Sequence, residues 1–118
     1  SSFTKAGGVV VLSDGGDGTG QMHAFITAAN LLDPTQQTSV TGQTELITAG
    51  QNPMPGEIFN NAPGDVLGAN VFDSFLGSSH TCTFNTDAQE GPELIFVFTD
   101  NAARGQGAPV AIHRVIAP

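Results

Sequence analysis

Apolar and polar residues follow one another in short runs along this chain, and glycine and proline separate the runs. The runs with strand character are 9–13, 21–27, 38–48, 80–86, 93–99 and 110–117. Gly 15 and Pro 7 are spread over the whole chain and divide it into pieces too short for long helices. Short β-rich runs between turn residues are typical of sandwiches and barrels. The pattern predicts an all-β, antiparallel sandwich or barrel that forms a single domain over 1–118.

Two of these runs predict where their strands lie in a sheet. Residues 94–98 are all apolar, so both faces of that strand are expected to be covered, as in the centre of a sheet. In the run 80–86, the two-residue period places His80, Cys82 and Phe84 on one face and polar residues on the other. That alternation predicts a half-buried strand.

The segment 51–77 shows no strand periodicity and contains three prolines and four glycines. It is predicted to be one long loop. The helical spacing of Phe72, Phe75 and Leu76 indicates that this loop contains a short helix, and the alternative is a loop throughout. Its bulky apolar residues are too many for a solvated loop. We expect some of them to pack on the sheet or on another subunit.

The net charge of the chain excludes some classes of partner. Three Lys and Arg residues face eleven Asp and Glu residues, which gives a net charge of −8. Nucleic-acid binding depends on Lys and Arg at phosphates, so neither nucleic acid nor an anionic membrane is an expected partner. No apolar run approaches the roughly 20 residues of a membrane span. No basic start precedes an apolar stretch, so we expect any export signal to be absent or already removed.

The octet 13–20, SDGGDGTG, invites three interpretations: a calcium loop, a phosphate-binding loop or a turn. An EF-hand loop begun at Asp14 would need a Glu at its twelfth position, which is Phe25. A phosphate-binding loop would need a Lys and a following helix. A hairpin turn is favoured, in which Gly takes positive φ angles. A weak surface cation site, completed by a distant carboxylate, is the alternative.

Metal and nucleophile chemistry has few candidate residues. His80 and Cys82, with His113 or His23, would suit zinc or copper if they converged, although their spacing is not diagnostic. Cys82 is the single cysteine, so no internal disulfide forms and stability must come from packing or assembly. No nucleophile motif is present, and the absence of Trp and Tyr disfavours sugar-binding sites. We expect no cofactor, no metal and no enzymatic activity.

The sequence also predicts an interface with another molecule. Eight Phe supply all the aromatic content, and Arg104 lies in a predicted exposed loop, 100–108, where it could bind a carboxylate of a neighbouring molecule. The candidate interface residues are Phe59, Val71, Phe72, Phe75 and Arg104.

Three functions are compatible with this sequence. The favoured one is a self-associating structural domain of a virion shell, as capsid or decoration protein, or of an extracellular fibre, with an extracellular or virion-surface location. Its partner would be itself or another shell or fibre protein. The first alternative is a small protein-binding module that uses loops 51–77 and 100–108. The second alternative is a metal protein or enzyme centred on His80 and Cys82.

Overall fold

The computed structural model of the protein describes residues 2–13, 22–32, 38–46, 56–78 and 81–117. Within them the elements are α1 (Ser2–Lys5), α2 (Met22–Ala28), β1 (Val40–Glu45), β2 (Glu57–Asn60), β3 (Ser74–Leu76), β4 (Cys82–Thr86), β5 (Leu94–Thr99) and β6 (Pro109–Arg114). One sheet pairs β1 with β4, and the other has the order β3-β2-β5-β6, with every pair antiparallel. The all-β class is therefore confirmed. No helix in these ranges has the length and hydropathy to cross a bilayer.

Strand β5 lies inside the four-stranded sheet, as its continuous apolar run predicts. It pairs with β2 on one side and with β6 on the other. Phe96 is 9% exposed and the adjacent Val97 is 0% exposed, so both faces of the strand are covered. Strand β6 forms one edge and begins at Pro109, a position where the missing N–H of proline is tolerated.

The main core joins both sheets to a helix. Its buried members include Ile26 of α2, Val40 of β1, and Leu94 and Phe96 of β5. Partly buried Phe84 and Ile112 pack against this cluster from β4 and β6. A sheet face must bury its apolar side against another layer, and here the second sheet and α2 provide that layer.

The prediction of a strand over 21–27 is wrong, because this stretch forms helix α2. Met22 and Ile26 are four residues apart, a spacing that places them on one face of a strand and also on one face of a helix. Ile26 is buried and Met22 packs against the core, so the helix satisfies the same apolar pattern.

The end of α2 contains a helix-stop motif. Asn30 adopts a positive φ of 50°. The N–H of Asn30 donates to the carbonyl of Thr27 at 3.0 Å, and the N–H of Leu31 donates to the carbonyl of Ile26 at 3.1 Å. This pair of bonds around a left-handed residue is the Schellman motif, in which Asn is the usual substitute for Gly. Asn30 is therefore the residue that indicates a helix here.

The prediction of a strand over 9–13 is also wrong, because these residues belong to neither sheet. A strand needs a hydrogen-bonded neighbour, and the described residues provide none for this run. The octet motif falls almost wholly on residues 14–20, outside the described residues, and its three interpretations stay open.

The segment 51–77 is not one long loop, since it contributes β2 and β3 to the larger sheet. Ile58 is 4% exposed and pairs with Phe75 across the two strands. Phe75 and Leu76 are strand residues, so the helix predicted from their spacing is wrong. These strands have four and three residues, too few for a period-2 pattern to be recognised. Residues 51–55 lie outside the described residues.

Strand β4 is half-buried, as predicted, but its most buried side chain is on the face assigned to polar residues. Thr83 is 4% exposed, whereas Cys82 and Phe84 are of intermediate burial. The hydroxyl of Thr83 donates to the carbonyl of Thr44 on β1 at 3.3 Å, so its burial is compensated by a hydrogen bond.

Candidate interaction surface

A buried amide fixes the loop that leaves β2. Asn60 is 9% exposed, and its Nδ2 donates to the carbonyl of Gly68 at 2.8 Å and to that of Val71 at 3.4 Å. Its Oδ1 accepts from the N–H of Ala62 at 3.2 Å. Gly68 passes so close to the Ala62 carbonyl that no Cβ would fit there. The loop 61–73 therefore has a defined conformation.

The neighbouring asparagine joins this loop to a second one. Nδ2 of Asn61 donates to the carbonyl of Phe96 at 2.8 Å and to Oε1 of Glu90 at 3.2 Å. Its Oδ1 accepts from the N–H of Gly105 at 3.0 Å. Gly105 has a φ of 75°, a backbone conformation that favours glycine. Loops 61–73 and 100–108 are thus connected by one side chain that also contacts β5.

The same region carries an exposed apolar surface, which we call the β3 surface. Its residues are Val66 (77% exposed), Leu67 (54%), Val71 (37%), Phe72 (81%) and Leu76 (68%). Large apolar side chains exposed in one segment are typical of an interaction site. The expectation that some apolar residues of 51–77 pack on the sheet holds for Ile58, whereas the β3 surface has no cover from the described residues of this copy.

The five candidate interface residues divide into two groups. Val71, Phe72 and Arg104 are exposed. Phe59 and Phe75 are half-buried in β2 and β3, and the Phe75 ring packs edge-on against Phe98 with centroids 5.5 Å apart. Phe75 therefore belongs partly to the internal packing of the sheet, and Phe72 is the better probe of a contact with another molecule.

An Asp–His pair that belongs to no sequence motif also anchors the loop. Nδ1 of His113 on β6 lies 2.9 Å from Oδ2 of Asp65, and the N–H of Leu67 donates to Oδ1 of Asp65 at 2.9 Å. Burial acts to raise the pKa of Asp65. The hydrogen bonds from Leu67 and His113 and the charge of His113 act in the opposite direction, and the net pKa is lowered.

The three metal candidates that the structure describes are not brought together as a ligand set. His23 lies in α2, Cys82 begins β4, and His113 on β6 contacts Asp65. His80 lies outside the described residues. No group of three or more His, Cys, Asp or Glu that could hold a metal occurs in the parts of the chain that the structure describes.

A groove of about 490 Å³ runs between residues 84–90 and 105–109. Among the described residues that line it, Glu90 is the only titratable one. One oxygen of Glu90 already accepts from the N–H of Phe96 at 2.8 Å and from Asn61. The described lining therefore offers no second titratable group to pair with Glu90.

Comparisons with known proteins were made at three levels. Neither protein-family models, nor curated proteins, nor solved structures give a match. The roles assigned to the residues of the β3 surface therefore rest on the geometry and chemistry of this chain.

Proposed function

We propose that this protein is a structural domain that associates with copies of itself, as a shell or decoration protein of a virion or as a subunit of an extracellular fibre. The observation that carries the proposal is the β3 surface, where Phe72 is 81% exposed and Leu76 is 68% exposed. Leaving such side chains in water costs free energy that a second copy would recover on covering them. The corresponding location is extracellular or on a virion surface.

The hydrogen bonds beneath the β3 surface support this function. Asn60 and the Asp65–His113 pair hold the loop before any partner arrives. A surface that is ordered in advance loses less conformational entropy on association, so a small apolar area gives more affinity. The low content of charged residues, 12% of the chain, limits the desolvation cost of bringing two copies together.

A second candidate is a small protein-binding module. The bond between Asn61 and Gly105 favours it, because it holds loops 61–73 and 100–108 side by side, and the second loop carries exposed Arg104. Such a module would present Phe72 and Arg104 to a different protein with an acidic group at its rim.

Sedimentation equilibrium of the purified chain over a wide concentration range distinguishes the two functions. Self-association predicts a mass that rises above that of the monomer with concentration. A mass that stays at that of the monomer throughout would contradict the assembly function and favour the binding module.

A further inference from the structure

The run Val9, Val10, Val11 and Leu12 is an apolar segment that the described residues leave largely uncovered. The four side chains are 80%, 57%, 84% and 36% exposed, in that order. Valine is among the residues that most favour β-strands, yet this run belongs to neither sheet. An apolar, β-prone segment of this kind is suited to adding itself to an existing sheet edge. We call residues 9–12 the arm.

Strand β3 is an edge of the four-stranded sheet. It bonds to β2 through alternate residues: the N–H of Asn60 donates to the carbonyl of Asp73 at 2.9 Å, and the N–H of Gly77 donates to the carbonyl of Gly56 at 3.0 Å. In an antiparallel pair, the residues between these point their N–H and C=O groups away from the partner strand.

The groups that point outward on β3 belong to Ser74 and Leu76. Among the described residues, no backbone hydrogen bond reaches either residue on that side. Leu76 is 68% exposed, and neither a charge nor a proline within β3 protects the edge. Charges and prolines are among the devices that keep an edge strand from pairing. This edge can therefore accept another strand.

Length and charge match the arm to this edge. Four residues of strand span about 13 Å, which covers the three residues of β3. Lys5 precedes the arm by four residues, while exposed Asp73 directly precedes β3 and exposed Glu57 lies opposite Leu76 on β2. Since the chain carries a charge of −8, copies repel one another in general, and a contact of Lys5 with these acids is one of the few attractive pairings available.

We propose that the arm of one copy adds as a strand to β3 of a second copy. This inference rests on the proposed function and names the contact through which the copies associate. In its own copy the arm forms no backbone hydrogen bond with β3 among the described residues, so it does not pair with its own edge. A reciprocal exchange gives a closed dimer, whereas a one-way exchange gives a ring or a fibre.

Proline substitution tests the arm. Alternate N–H groups of a strand bond to its neighbour, so one of Val10→Pro and Val11→Pro must remove a bond to β3. We expect that variant to dissociate about tenfold more readily, since a lost bond and a restricted backbone act together. The matched controls Val10→Thr and Val11→Thr keep the N–H and the branched side chain, and the control at the bonded position should associate more tightly than its proline counterpart.

Cysteine cross-linking locates the partner edge. In a Cys82→Ser background, a Val10→Cys chain is mixed with a Ser74→Cys chain and oxidised, and Gln89→Cys replaces Ser74→Cys in the control. A disulfide-linked pair that forms with Ser74→Cys but not with Gln89→Cys supports the inference. If the parent chain associates but shows neither this cross-link nor any effect of proline, the inference that the arm pairs with β3 is wrong. The proposed function is not contradicted by that result. A parent chain that stays monomeric overturns both.

Discussion

Nδ1 of His113 lies 2.9 Å from Oδ2 of Asp65, and this pair links the edge strand β6 to the loop between β2 and β3. The side chain of Asp65 is 8% exposed and that of His113 is 27% exposed, so solvent screens the pair only partly. The loop held by this pair carries Val66 and Leu67 of the β3 surface. A local electrostatic contact thus supports the surface on which the proposed function depends.

The Asp65–His113 pair predicts a pH-dependent contribution to stability. The pKa of Asp65 is lowered from its ordinary value of 3.8, so its stabilising effect is fully present above that value and is lost as the pH falls through the lower, folded-state pKa. Asp65→Asn should cost about 1 kcal/mol of unfolding free energy at neutral pH and progressively less in acid. Urea unfolding at several pH values measures this difference.

The matched control for this prediction is Asp73→Asn, which removes an exposed carboxylate from the same segment. It should change stability little at neutral pH. A loss for Asp65→Asn that is no larger than that of the control, or that persists at the most acidic pH, would contradict the role assigned to the pair.

Asn60 provides a prediction about donors and acceptors. Asn60→Asp would place a carboxylate oxygen where Nδ2 now donates to the carbonyl of Gly68, so a donor becomes a second acceptor in a buried site. We expect a loss of about 2 kcal/mol or more in unfolding free energy. Asn70→Asp, at an exposed position in the same loop, should change it by less than about 0.5 kcal/mol. Similar losses for the two variants in urea titrations would contradict the anchoring role of Asn60.

The same substitution at Val97 and at Val66 compares a core position with a surface position. Val97→Ala removes two methyl groups from a side chain with 0% exposure and should cost about 2 kcal/mol of unfolding free energy. Val66→Ala at 77% exposure should be neutral within about 0.5 kcal/mol. Thermal unfolding by circular dichroism compares them directly, and a midpoint for Val66→Ala as low as that for Val97→Ala would show that Val66 is covered.

The sequence predicts those elements whose pattern of apolar and polar residues is long enough to distinguish a strand from a helix. The continuous apolar run at 94–98 predicts a central strand, and β5 is one. Helix α2 is not predicted, because the spacing of Met22 and Ile26 fits both the strand period and the helix period. Only Asn30, with its positive φ, distinguishes the helix from a strand. Strand β3 has three residues and contains no pattern that a period could reveal.

The parts of the site that sequence reasoning missed depend on contacts between distant residues. Asp65 and His113 are 48 positions apart, and neither belongs to a motif. Phe72 is exposed in the loop before β3, whereas Phe75 lies within β3 and packs against Phe98. Both residues satisfy the same helical spacing in the sequence, so the distinction required the structure.

The most direct measurement of the proposed function is native mass spectrometry of the parent chain beside Phe72→Asp and Phe25→Asp. Phe25 is also exposed, at 54%, but it lies on α2 rather than on the β3 surface, so it controls for the loss of an aromatic and the gain of a charge. We predict oligomers for the parent and for Phe25→Asp, and monomers for Phe72→Asp with an unchanged circular dichroism spectrum. A monomeric parent, or a Phe72→Asp variant that associates like the parent, would contradict self-association through the β3 surface.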